Sequence, residues 1–154
     1  MKTVLFLCSG NTCRSPMAAC LFNHFCRERG LPFRGISAGL SARDGSPASD
    51  GAYAAMKARG LSLLGHRAQS FTRQLAREAD LIMAVSDGHM AACAERYPDL
   101  SLQVYSFSPA ISDPYRASTS VYLQTAAAME PQILTLIETL SSGDAACKSS
   151  APSI

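Results

Sequence analysis

The sequence predicts a single-domain α/β fold, a four-stranded parallel sheet flanked by helices on both faces. Three observations lead there. Four short apolar runs alternate with segments of helical periodicity, the arrangement that produces right-handed β-α-β units. The first and third runs are continuously apolar, Val4–Leu7 and Leu81–Val85, as suits strands covered on both faces. A chain of 154 residues with 47% hydrophobic and 17% charged residues suits one domain with a sizeable core.

Lys2 to Leu7 is the first apolar run and the first strand. Ala18, Leu21, Phe22 and Phe25 recur at i, i+3, i+4 and i+7, giving the next helix one apolar face. Ser15 suits its cap, Pro16 its first position and Gly30 its stop. Phe33 to Ser37 is a second strand, followed by a Gly/Ser/Pro-rich loop from Gly39 to Pro47. Ala48 to Arg59 is helical with Gly60 ending it, and Thr72 to Arg77 is a short helix. Ala79 to Val85 is a third buried strand, Asp87 to Arg96 a helix, and Leu102 to Phe107 the fourth strand. Tyr122 to Leu140 closes the order, with Tyr122, Ala126, Met129, Ile133, Ile137 and Leu140 on one side. Pro131 lies inside it, and an interior proline costs about 3 kcal/mol, so a kink or restart is expected there. Residues 1–141 form the domain on this reading, and 142–154 a small, polar, loose tail.

Composition narrows the function classes. A net charge of +2 with no Lys/Arg stripe gives no basis for nucleic-acid binding. No stretch is apolar for the roughly 20 residues of a membrane helix. Lys2, the run Val4–Leu7 and Cys8 superficially suggest a lipoprotein signal, but four apolar residues fall short of the roughly 7–15 required. The six cysteines, at 8, 13, 20, 26, 93 and 147, follow no framework spacing and read as thiols of a reducing cytoplasm. No CxxC or other ligand spacing points to a metal site. Cys20, Cys26, Cys93 and Cys147 read as packing or tail residues, and His24 is given no role.

The informative stretch is CSGNTCRSP, residues 8–16, at the carboxyl end of the first strand, where open α/β sheets bind ligands. Ser9, Gly10, Asn11, Thr12 and Cys13 can curl so that successive backbone N–H groups converge, an anion nest reinforced by the following helix dipole. Donors that hold an anion also favour the thiolate of Cys8, the nucleophilic form. Arg14 adds two parallel N–H donors suited to a phosphoryl group, and Ser15 a hydroxyl toward the sulfur. The loop is no nucleotide-type phosphate loop, because G-x4-GK[ST] is absent. Hydrolysis also needs a general acid for the leaving oxygen. Asp113, in the loop Ile111-Ser-Asp-Pro-Tyr115, is the candidate; Pro114 stiffens it and Tyr115 can wall the pocket.

CSGNTCRSPMA, SAG at 37–39, HRAQ at 66–69, ADLIMAV followed by His89, and DPY at 113–115 occur in order over roughly residues 2–140. This pattern resembles the low-molecular-weight protein-tyrosine-phosphatase family. The resemblance implies attack on phosphorus by Cys8, forming a cysteinyl-phosphate, with Arg14 binding the phosphoryl group and stabilising the transition state. It implies that Asp113 protonates the leaving group and then activates water. Asn11, Ser15, Ser37 and His66 match residues that hold the phosphate loop by hydrogen bonds; on its residues alone, His66 beside Arg67 reads as a surface histidine. No metal or cofactor is implied. The expected partners are phosphorylated proteins, with phosphate and related oxyanions as inhibitors. The family likeness also implies that Cys13 can form a reversible disulfide with Cys8.

Substrate choice stays open between two branches. Thr12 resembles the bacterial phosphoarginine phosphatases, where tyrosine-directed members often carry an aliphatic residue, and SAGLSARDGSPAS and HRAQSF lean the same way. Tyr115 and the sequence Arg116-Ala117-Ser118 depart from that branch, while the loop from Leu40 to Asp50 has no aromatic residue to stack on a phosphotyrosine. The leading expectation is a phosphotyrosine phosphatase, with phosphoarginine as the alternative. Arsenate reductase is disfavoured because only Cys93 lies where a further cysteine pair would be needed. A non-catalytic phosphoprotein-binding module is disfavoured because Cys8, Arg14 and Asp113 are all present.

Overall fold

The structure, a computed structural model, describes residues 1–143. Its elements run β1 (Lys2–Cys8), α1 (Arg14–Glu28), β2 (Phe33–Gly39), α2 (Asp50–Ala58), α3 (Arg73–Glu78), β3 (Leu81–Ala84), α4 (Asp87–Arg96), β4 (Val104–Ser106) and α5 (Thr119–Ser142). The four strands form one parallel sheet in the order β2-β1-β3-β4.

Alternation along β1 divides the core in two. Val4, Phe6 and Cys8 pack with α1, α2 and α5, through Met17, Phe22, Met56, Tyr122 and Ile133 among others. Leu5 and Leu7 face the opposite way, joining Ile82, Phe71, Ala76 of α3 and Cys93 of α4. Both faces are therefore covered, and every residue from Val4 to Leu7 is fully buried. Burial holds the thiols of Cys26 and Cys93 up at about 11, so they stay neutral and behave as small apolar groups.

Chain order makes β1 the pivot. Its α1 crossover leads to β2 on one side, while β3 joins it from the other, so the sheet's switch point lies at the carboxyl ends of β1 and β3. The β1–α1 loop, the first turn of α4 and the β4–α5 loop all converge there.

Several boundaries differ from expectation for local reasons. The first residue of α1 is Arg14, its N-cap is Cys13 with no side-chain cap bond, and Ser15 is therefore a helical residue rather than the cap. The Ser15 hydroxyl is instead spent on the loop, and Pro16 still falls within the first turn, where its missing N–H costs nothing. Helix α5 begins three residues before the apolar stripe, at Thr119, because Ser118 is extended and its carbonyl accepts from Val121 and Tyr122 N–H. It then continues through Pro131 without a restart; the ring removes only the bond that Ala127 would have received. Strand β4 shrinks to three residues, since it is an edge strand paired with β3 alone. The helix runs one residue into the stretch read as a tail, and 144–154 lie outside the described residues.

Gly30 and Gly60 end α1 and α2 at positive φ, with Leu31 N–H returning to the Cys26 carbonyl and Leu61 N–H to that of Met56.

Candidate active site

The loop Cys8–Ser15 is held by contacts from several separate parts of the chain. Asn11 takes a left-handed φ of 58° and is fully buried, and its side-chain amide and its carbonyl are all used. Its Nδ2 donates to Ser15 Oγ at 2.8 Å, its Oδ1 accepts from Gln69 N–H at 2.9 Å, and its carbonyl accepts from His66 Nε2 at 2.8 Å. Because Ser15 Oγ accepts from Asn11, its own proton is available to Cys8 Sγ, 2.9 Å away; the Ala38 carbonyl is the longer alternative at 3.4 Å. Asparagine tolerates φ > 0 and carries both a donor and an acceptor, so no other common residue fills this position as well.

Just past β2, Leu40 N–H donates to the Cys8 carbonyl and Ser41 N–H to that of Ser9, both at 2.9 Å. Ser37 takes part through its carbonyl, which accepts Gln69 Nε2 at 2.9 Å, one step removed from Asn11. Gly39 is fixed by space: a Cβ there would stand 2.5 Å from the Ser9 carbonyl oxygen and 3.0 Å from Asn11 N. Replacing Gly39 by alanine must move the loop backbone. We expect roughly 1–3 kcal/mol of destabilisation, about 3–10 °C in Tm, with at least a tenfold fall in kcat/KM for an aryl phosphate. Thermal melts and steady-state kinetics on the same sample check both, and an unchanged Tm with unchanged turnover would contradict the close approach.

Thr12 is half-buried; its carbonyl accepts Ser49 N–H at 2.9 Å and its hydroxyl lies 3.7 Å from Cys13 Sγ. Cys13 points away from this surface. Its thiol meets Ser49 Oγ and Tyr122 OH, each at 3.3 Å, and those two hydroxyls are 3.2 Å apart. Burial, then the Cys13 contact, pushes the Tyr122 phenol up to about 12, so the group is a neutral donor at any ordinary pH. Both Cys8 and Cys13 are free thiols.

Arg14 links the two loops. It is only 7% exposed, its Nη1 donates to the Ile111 carbonyl at 2.9 Å, and its Nη2 lies 3.8 Å from Asp113 Oδ2. Ile111 N–H is itself anchored on the Val85 carbonyl at the end of β3. Asp113 is half-exposed and shaped by its own turn, Oδ1 accepting Tyr115 N–H at 3.1 Å. At 3.8 Å and with one partner solvated, this ion pair adds little stability; it marks where the guanidinium and the carboxylate face one another. Tyr115 is 58% exposed beside them, with the Arg116 guanidinium 5.3 Å from its ring centre. Arg116 holds φ at 64°, uncommon for a side chain of that size.

The structure thus brings the loop Cys8–Ser15 together with His66 and Asp113, while the Cys13 thiol turns to Ser49 and Tyr122. Sequence reading gave no role to Gly39, Gln69, Ser49, Tyr122 or His89. Ser9 Oγ lies 2.8 Å from His89 Nε2, and His89 Nδ1 lies 2.6 Å from Ser86 Oγ. Partial burial lowers the His89 pKa and the Arg14 charge lowers it further, with Asp113 opposing. The signal for His89 was present as Ser86-x-x-His89, a capped helix start following a strand; that this strand neighbours β1 was not.

A strand ending on a thiol, a tight loop after it and an arginine opposite a carboxylate are the features of a cysteine-dependent phosphatase fold. Residues 3–145 match the model of the family described as low molecular weight phosphotyrosine protein phosphatase, and the chain belongs to that family. The probable low molecular weight protein-tyrosine-phosphatase EpsP of Ralstonia nicotianae is 35% identical over 127 residues, 79% of this chain and 84% of that protein. The protein-arginine-phosphatase of Geobacillus stearothermophilus is 32% identical over 145 residues, 89% of this chain and 95% of its own. A low molecular weight protein tyrosine phosphatase from T. tengcongensis superposes with a TM-score of 0.86 at 34% identity, covering 90% of this chain and 99% of that one.

Proposed function

We propose that this phosphatase removes phosphate from phosphotyrosine in proteins, with Cys8 as nucleophile, Arg14 and the loop amides as the phosphoryl cradle and Asp113 as general acid and then base. The observation that supports these roles best is the placement of Arg14, fixed by the Ile111 carbonyl and facing Asp113 across the mouth that Cys8 underlies. In the first step Cys8 sulfur bonds to phosphorus as the ester oxygen leaves with the Asp113 proton. In the second, Asp113 takes a proton from water, whose oxygen displaces the sulfur and releases inorganic phosphate. Negative charge on the equatorial oxygens meets donors already in place, so little reorganisation accompanies the transition state.

Tyr115 and Arg116 support phosphotyrosine. The exposed ring offers a face for an aromatic leaving group, and the Arg116 cation disfavours a substrate that brings a guanidinium to the same mouth. Thr12 and the arginine-phosphatase relative favour the second reading, phosphoarginine, in which a hydroxyl at the loop meets the substrate nitrogens. Matched phosphotyrosine and phosphoarginine peptides, assayed with Cys8→Ser as blank, separate the two. We expect kcat/KM to favour phosphotyrosine by at least about tenfold, roughly 1.4 kcal/mol of transition-state preference; the same ratio reversed would assign the enzyme to phosphoarginine. Phosphate and similar oxyanions are expected to compete for the loop. Among the described residues no helix is long and apolar enough to cross a membrane, and a cytoplasmic site of action is proposed from the unpatterned cysteines of the sequence.

A further inference from the structure

We infer that His89 is a positioning residue for phosphoryl binding: its Nε2–H holds the Ser9 side chain and so fixes the first peptide of the phosphate loop. The inference rests on the phosphatase reading of that loop and adds to it a residue from outside the loop and its immediate supports.

The hydrogen-bond pattern selects the tautomer. Ser86 Oγ caps α4 by accepting His89 N–H at 3.2 Å, so that hydroxyl's remaining proton needs an acceptor, and Nδ1 at 2.6 Å is the one in reach. With Nδ1 accepting, the ring proton sits on Nε2 and is donated to Ser9 Oγ at 2.8 Å. A three-member relay therefore runs from Ser86 through His89 to Ser9, tying the carboxyl end of β3 to that of β1. The half-buried ring faces Arg14 of α1 and Asp113 of the β4–α5 loop, and burial with the Arg14 charge keeps it neutral, as the relay requires.

Ser9 needs such an anchor. It is exposed, and it precedes Gly10, where an added Cβ would meet nothing nearer than 3.8 Å, so the Ser9–Gly10 peptide is not confined by Gly10 itself. The Ser9 carbonyl is held by Ser41 N–H on one side. His89 holds the side chain from the other. With both anchors the Gly10 amide keeps its direction toward the bound anion; with one, the peptide can swing.

The test uses the full chain and three readouts. First, 15N chemical shifts of the imidazole at neutral pH are expected to report the Nε2–H tautomer; an Nδ1–H ring, or an averaged pair of tautomers, would overturn the relay. Second, His89→Ala is expected to raise KM for p-nitrophenyl phosphate and Kd for inorganic phosphate together by about fivefold, the effect of one lost hydrogen bond, with kcat within about twofold. His89→Gln, whose side-chain amide nitrogen reaches where Nε2 was, should restore both to within about twofold, whereas His89→Asn reaches only Ser86 and should not. Equal behaviour of Gln and Asn would reject positioning through Ser9. Third, Ser9→Ala combined with His89→Ala should cost no more than the worse single change; additive losses would show that the two residues act separately. Phosphate affinity and the tautomer are measured without turnover, so absence of wild-type activity would count against the phosphatase reading while leaving this test intact.

Discussion

Replacing Cys8 by serine is expected to lower turnover of p-nitrophenyl phosphate by on the order of 10⁴-fold or more, while the affinity for inorganic phosphate stays within about threefold of wild type. The two halves of that result have different physical origins. Turnover needs a nucleophile that is charged and polarisable. A serine hydroxyl in the same place accepts from or donates to Ser15 Oγ as the thiol does at 2.9 Å, but it does not ionise under the same donors. Affinity, on the proposed mechanism, rests on the loop backbone, which is held through Asn11, Gln69, His66, Ser41 and Ser49 rather than through the Cys8 sulfur. Fluorescence or calorimetric titration with phosphate beside steady-state kinetics measures both. Turnover near the wild-type level would remove Cys8 from the mechanism.

Changing Asp113 to alanine should produce a loss that depends on the leaving group. For phenyl phosphate, whose phenolate leaves poorly, kcat should fall by about 10²–10⁴-fold; for an aryl phosphate with a strongly acidic phenol it should fall far less. The geometry gives the reason. Asp113 Oδ2 is 3.8 Å from Arg14 Nη2 and half in solvent, which leaves it free to meet the ester oxygen on the proposed mechanism. The carboxylate contributes little to holding the loop, since Arg14 keeps its bond to the Ile111 carbonyl and Tyr115 loses only one turn contact. Equal losses across the leaving-group series would mean that Asp113 supports the loop rather than transferring a proton.

The elements were legible where a local rule acts without competition. Helix α4 spans Asp87–Arg96 as read, because Ser86 caps it and a strand precedes it. Boundaries drifted where pairing or a competing bond decides. Ser15 looked like a helix cap because serine before proline commonly is one; the loop took its hydroxyl for Cys8 and Asn11 instead. Pro131 looked like a break, yet Met129, Ile133, Leu136 and Ile137 bury one face across it, and that packing carries the helix through one missing hydrogen bond. Gly39 was legible only as the start of a loop and Tyr122 only as part of an apolar stripe, since the contact each makes with the Cys8–Ser15 loop is with an atom far away in sequence.

The sequence by itself brought the thiol of Cys8 and the guanidinium of Arg14 into one short loop, because the nine consecutive residues CSGNTCRSP follow an apolar run and lead into a helix. It also determined the sheet's class, since alternation of apolar strands and helices leaves few other packings. The tertiary structure decided what holds and completes that loop. His66 and Gln69 reach Asn11 across more than fifty residues, His89 reaches Ser9 across eighty, and Asp113 meets Arg14 only because β3 and β4 deliver their loops to the same edge. Short-range chemistry is written in neighbouring residues, whereas the order β2-β1-β3-β4 sets which distant side chains share the mouth.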